Sequence, residues 1–69
     1  MLEYKTKLTK REIEILQLIA NGEKSKDIAI LLFIDLNTVE SHRKNIIRKH
    51  GAKNIIVVVK EAVKSGEIV

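Results

Sequence analysis

Three glycines and no proline punctuate this chain. Gly22, Gly51 and Gly66 divide it into segments of helical length, and nothing between them obliges a helix to break. Within the segments, apolar residues recur at three- and four-residue intervals, which on a helix gathers them onto one face. The pattern predicts an all-α, four-helix bundle-like chain. Its 69 residues make one domain, positions 1–69, because a chain this short cannot support two cores. A chain of about 60 residues hides only ~60% of its extended surface, so close packing, caps or a partner must supply stability.

The helix signals are local and specific. Thr9 starts a TKRE capping box, in which the Thr9 hydroxyl accepts from the Glu12 N–H and the Glu12 carboxylate reaches back to Thr9. Leu8 and Ile13 stand at the positions of a hydrophobic staple. The first helix is expected over Lys10 to Ala20, burying Ile15, Leu16 and Ile19, with Asn21 and Gly22 ending it. A second, short helix starts near Lys24 or Ser25 and ends near Leu32, with Ile28, Ala29 and Leu32 inward. Asp35 then caps a third helix through its carboxylate, at the N–H groups near Thr38, and that helix runs to about His50. A short helix, a turn of about three residues and a longer helix make a helix-turn-helix, here residues 25–44.

The last segment, NIIVVVKEAVKSG, pulls two ways. Ile55 to Val59 are five consecutive β-branched residues, which favour a strand. Asn54 is a good cap and Gly66 a good terminator, and a lone strand would have no partner, so a fourth helix is the reading. Helical spacing puts Ile55, Val59, Ala62 and Val63 toward the core and Val57, Lys60, Glu61 and Lys64 outside, with Ile56 and Val58 at the borders. An apolar border on a small domain suggests self-association, with Ile56, Val57, Lys60, Glu61 and Lys64 as the dimer surface.

On the third helix, Val39 and Ile46 share the core side. Asn37, Glu40, Ser41, Lys44 and Arg48 form a polar stripe opposite, at spacing suited to one helix face. Charge reinforces that face. The net charge is +4; five cations and no acid lie between Arg43 and Lys53, Lys5, Lys7, Lys10 and Arg11 form a second basic group, and Glu12, Glu14 and Glu23 gather between them. Such polarity is the electrostatic footprint of a nucleic-acid surface.

Other chemistries find little support. With no cysteine there is no disulfide or thiolate site, which fits a reducing, cytoplasmic setting. The longest apolar run, IAILLFI (Ile28 to Ile34), is far short of the ~20 residues of a membrane helix, and MLEYKTKLTKRE lacks a signal-peptide core. Ser41 and His42 differ by about 100° around the helix and have no third relay partner. His42 and His50 have no metal-ligand spacing with a carboxylate pair. There is no glycine-rich phosphate loop, and two aromatics, Tyr4 and Phe33, make a single-strand stacking platform improbable. No enzyme, metal, cofactor or small-molecule ligand is expected.

The segment LTKREIEILQLIANGEKSKDIAILLFIDLNTVESHRKNIIRKHGA resembles the LuxR-type (GerE-like) helix-turn-helix domain of bacterial transcription regulators. Leu8, Thr9, Arg11, Glu12, Leu16, Gly22, Lys26, Ile28, Ala29, Leu32, Ile34, Thr38, Val39, His42, Ile46, Lys49 and Gly51 match its pattern. The resemblance implies a double-stranded DNA reader whose fourth helix supplies a dimer contact, with RNA polymerase as a further partner. It places Glu40, Ser41 and Lys44 at positions that meet base edges, beside Asn37, and Thr38 and Lys49 at phosphate positions. Charge and facing add Lys26, Arg43 and Arg48 as phosphate ligands. A two-fold dimer would set recognition helices ~34 Å apart on an inverted-repeat site. Phe33 at the turn, His50 in place of the usual leucine, and Ile55 in place of a polar residue depart from the pattern. Two rivals remain: a sigma-factor promoter-reading domain, which usually ends near its recognition helix, and a protein-binding module with an incidental basic surface.

Overall fold

The capping box forms as written. In the computed structural model, which describes residues 7–69, the Thr9 hydroxyl accepts from the Glu12 N–H at 3.2 Å. The Glu12 carboxylate accepts from the Thr9 N–H at 2.8 Å, so two backbone donors at this helix start find partners. Helix α1 (Lys10–Ala20) ends at Asn21, and Gly22 follows at φ 95°, a left-handed value that glycine adopts without strain. Helices α2 (Ser25–Leu32), α3 (Leu36–His50) and α4 (Ile55–Ser65) complete an all-α fold, with no strand among the described residues. Tyr4 and Lys5 lie outside the described residues.

Helix α3 is the axis of the domain and packs against each of the other three. The core takes Ile15 and Leu16 from α1, Ile28 from α2, Val39 and Ile46 from α3, and Val58 and Ala62 from α4, all fully buried. Leu8 and Ile68, from outside the helices, are buried in the same cluster. The tail beyond Gly66 is therefore part of the fold. Its Glu67 and Ile68 N–H groups donate to the Ala62 carbonyl, and the Gln17 side-chain amide grips the Val69 backbone, donating to its carbonyl at 2.8 Å and accepting from its N–H at 2.9 Å.

Helix α4 is helical, as its caps imply: Asn54 Oδ1 accepts from the Val57 N–H at 3.1 Å. Its rotation differs from expectation. Val58, placed at a border by spacing, is fully buried, whereas Val63, placed in the core, is 49% exposed. Every position from Ile55 to Val59 is apolar, so periodicity alone leaves the rotation open.

Two caps also differ. Asp35 precedes α3, but its carboxylate makes no cap bond; its carbonyl accepts from the Thr38 and Val39 N–H groups at 3.0 and 3.1 Å. Lys24 precedes α2 with no side-chain cap bond. At the turn, Phe33 is left-handed (φ 57°, ψ 44°) and 94% exposed. For a residue with a Cβ that backbone costs ~1 to 2 kcal/mol, and asparagine tolerates it better. Phe33→Asn should therefore raise stability by about 1 kcal/mol in urea denaturation, although it deletes the only phenylalanine.

Candidate nucleic-acid interface

Burying Val39 and Ile46 forces the opposite side of α3 outward. Asn37, Thr38, Glu40, Ser41, Lys44 and Arg48 are all exposed there, on one rigid element packed from behind by three helices. The structure thus leaves the expected base-reading residues exposed along one face of α3, with Lys26 exposed on the first turn of α2 and Lys53 just past α3.

Two of the cations have neighbours that sequence spacing did not assign. Arg43 is half-buried, and its Nε lies 3.7 Å from Glu40 Oε1, so Glu40 leans on Arg43 at i+3 instead of Lys44 at i+4. Lys44 is left exposed and outside the ion pairs formed among the described residues. Arg48 donates to Asn45 Oδ1 at 3.1 Å, which steadies its guanidinium along the helix surface.

Lys49 has a partner within the fold that its expected phosphate role does not include. Its ammonium sits 2.9 Å from Glu12 Oε1, with 21% of the lysine side chain and 5% of the glutamate side chain exposed. It is the countercharge of a nearly buried carboxylate. Burial alone would push the Glu12 carboxyl up; the Thr9 backbone N–H, the Lys49 ammonium and the Thr9 hydroxyl together hold it below its ordinary value. Glu12 thus joins the capping box to the last turn of α3.

The histidines lie to the rear and at the end of the reading face. His42 is half-buried with its Nδ1 enclosed and without a hydrogen-bond partner among the described residues. His50 fills the end of α3 where a leucine was the usual choice. Its Nδ1 lies 2.9 Å from Glu61 Oε1 and its Nε2 3.1 Å from Glu67 Oε1, fastening α4 and the tail to α3. Glu61, expected on the dimer surface, is about half exposed while one of its oxygens meets His50. On the outer side of α4, Ile56, Lys60 and Lys64 are exposed, and Val57 is half-buried.

Sequence reasoning missed a feature of the helix starts. α1 and α4 carry side-chain caps, but α2 and α3, the two helices of the helix-turn-helix, carry none. Their first-turn N–H groups keep capacity for an acceptor from outside, such as a phosphate oxygen. The signal was partly visible, since lysine at position 24 has no acceptor to offer.

Comparison with known proteins agrees with this geometry. Residues 6–62 match the family described as bacterial regulatory proteins, luxR family. The chain is 48% identical over 59 residues to the uncharacterized response regulatory protein YgeK of Escherichia coli (strain K12), covering 86% of this chain and 40% of that protein. It is 47% identical over 57 residues to the oxygen regulatory protein NreC of Staphylococcus aureus (strain JH9), covering 83% of this chain and 26% of that one. The chain thus spans well under half the length of these relatives. Among solved structures, the transcription factor GerE superposes with a TM-score of 0.86 at 39% identity, covering 90% of this chain and 92% of GerE. Escherichia coli SdiA superposes with a TM-score of 0.87 at 38% identity, covering all of this chain and 29% of SdiA. With its helix-turn-helix in place and more than half its length matched, the chain belongs to the luxR family of bacterial regulatory proteins.

Proposed function

We propose that this domain reads double-stranded DNA by sequence, with α3 lying in the major groove, and that it regulates transcription in the bacterial cytoplasm. The observation that carries the reading is the exposed face of α3, where Asn37, Glu40, Ser41 and Lys44 converge with no apolar residue among them. In a groove these side chains meet base edges. Lys26, Arg43 and Arg48, with Thr38 and the uncapped N–H groups of α2, meet phosphate and set the register. The family match and the fourth helix favour this over a sigma-factor domain. RNA polymerase is the protein partner that control of transcription implies.

A second copy is proposed to share the work, using the outer surface of α4. A two-fold pair would select inverted half-sites, as expected from the resemblance, and a head-to-tail pair would select tandem ones. Selection from a random duplex library at two salt concentrations reads motif, symmetry and electrostatics together. With three cations on phosphate, log K should fall with log salt at a slope of about −2.7 per copy. Enrichment of no motif at either salt would refute the specific-reader proposal.

A further inference from the structure

The reading face of α3 is polar, but the residue that leads the helix is not. Leu36 opens α3 and is 44% exposed. It belongs neither to the buried core nor to the half-buried apolar residues packed around that core. A single exposed leucine is ordinary on a protein surface, so exposure alone assigns it no task. Its position says more.

At 100° per residue Leu36 lies about 40° from Glu40 and about 80° from Lys44, on the flank of the reading face that also holds Arg43. Glu40 is one turn on, so the two side chains are neighbours, ~6 Å apart along the axis. Helical side chains lean toward the N-terminus, which carries the Leu36 hydrocarbon forward over the leading end of α3. In a helix-turn-helix that end meets base edges.

The charges nearby narrow what Leu36 can meet. Asp35 and Glu40, both exposed beside it, disfavour a phosphate at this end, and Arg43 is occupied with Glu40. Lys44, the exposed cation of the face, lies about 12 Å further along the axis. An apolar group at a major-groove base edge has one partner of matching chemistry, the C5-methyl of thymine, which cytosine lacks.

We infer that Leu36 is a specificity-determining residue, packing on the methyl group of a thymine in the bound site. The inference deepens the DNA-reading proposal and rests on it. Leu36 supplies the apolar contact that the polar stripe beside it cannot.

Deoxyuridine differs from thymidine only by that methyl, so it isolates the contact. Each thymine of the duplex selected by the whole chain is replaced by deoxyuridine in turn. Affinity is then measured by fluorescence anisotropy, at one salt concentration, for the unaltered chain and for Leu36→Ala. Alanine suits a helix and draws the side chain back from the groove, and circular dichroism checks that the variant is folded. One replacement should weaken binding of the unaltered chain about fourfold, the worth of one buried methyl, and leave Leu36→Ala binding unchanged. The inference is overturned if no thymine is sensitive, if the selected site contains none, or if Leu36→Ala keeps the same sensitivity while binding every duplex more weakly. Selection of no motif at all would instead remove the DNA reading on which it rests.

Discussion

Replacing Lys49 with methionine should destabilise the domain by about 3 kcal/mol, measured by urea denaturation at pH 7. Methionine keeps most of the length and apolar character of the lysine stem, so the loss isolates the charge. Glu12 is left with its carboxylate 5% exposed and its ammonium partner gone, still tied to the Thr9 N–H. A buried ion that loses its partner is the costly case, far more so than the loss of a surface pair. At ~0.05 to 0.15 kcal/mol per residue a chain of this size has roughly 3 to 10 kcal/mol in all. The variant should therefore lose between about a third and all of its stability. Adding Glu12→Gln should recover most of the loss, because an amide oxygen still accepts from Thr9 and carries no charge to bury. If Lys49→Met instead retains full stability and weakens binding to all DNA sequences alike, Lys49 is a phosphate ligand after all.

The same pair gives the domain an acid limit. The folded-state Glu12 carboxyl titrates below its ordinary value, so folding favours the ionised form. Its contribution is complete above the unfolded carboxyl's range, near 4.3, and is lost as pH falls through the lower folded value. Stability should therefore decline from about pH 5 downward, and less steeply in the Lys49→Met variant, in which the Thr9 N–H still lowers the carboxyl but the Lys49 ammonium no longer does.

The difference between these two roles for Lys49 shows where sequence reading reaches its limit. The four helices were legible because their signals are local: the Thr9 and Asn54 caps, the Gly22, Gly51 and Gly66 stops, and the Val39–Ile46 periodicity each act within a turn or two. The outward direction of Asn37, Glu40, Ser41 and Lys44 followed from that periodicity. Glu12 and Lys49 are 37 positions apart, and no local pattern joins them. The rotation of α4 was hidden by an unbroken apolar run, and the burial of Ile68 depends on Gln17 holding Val69 from another helix. Ile30 and Phe33 are exposed, Ile30 by its position about 200° from Ile28 on α2 and Phe33 by its place in the turn.

Glu40 and Lys44 should separate base reading from phosphate binding. Lys44→Ala is expected to flatten preference at one base pair by ~1 to 3 kcal/mol while leaving other positions of the motif intact. Glu40 sits in a face that otherwise attracts phosphate, half-exposed and only loosely held by Arg43 at 3.7 Å. An exposed pair at that distance adds little to stability, so Glu40→Gln should change urea denaturation by less than ~0.5 kcal/mol. If the carboxylate accepts from the amino group of a cytosine, Glu40→Gln should shift the selected base at that position toward adenine, which a glutamine reads in bidentate fashion. Were Glu40 only a partner for Arg43, the substitution would remove a negative charge near phosphate and strengthen binding to every sequence equally. Measured on the selected site and on single-base variants of it, the two outcomes differ in kind: a change of preferred base against a uniform gain. A changed preference would make the one acid on the reading face a determinant of sequence choice, and a uniform gain would leave that choice to Asn37, Ser41 and Lys44.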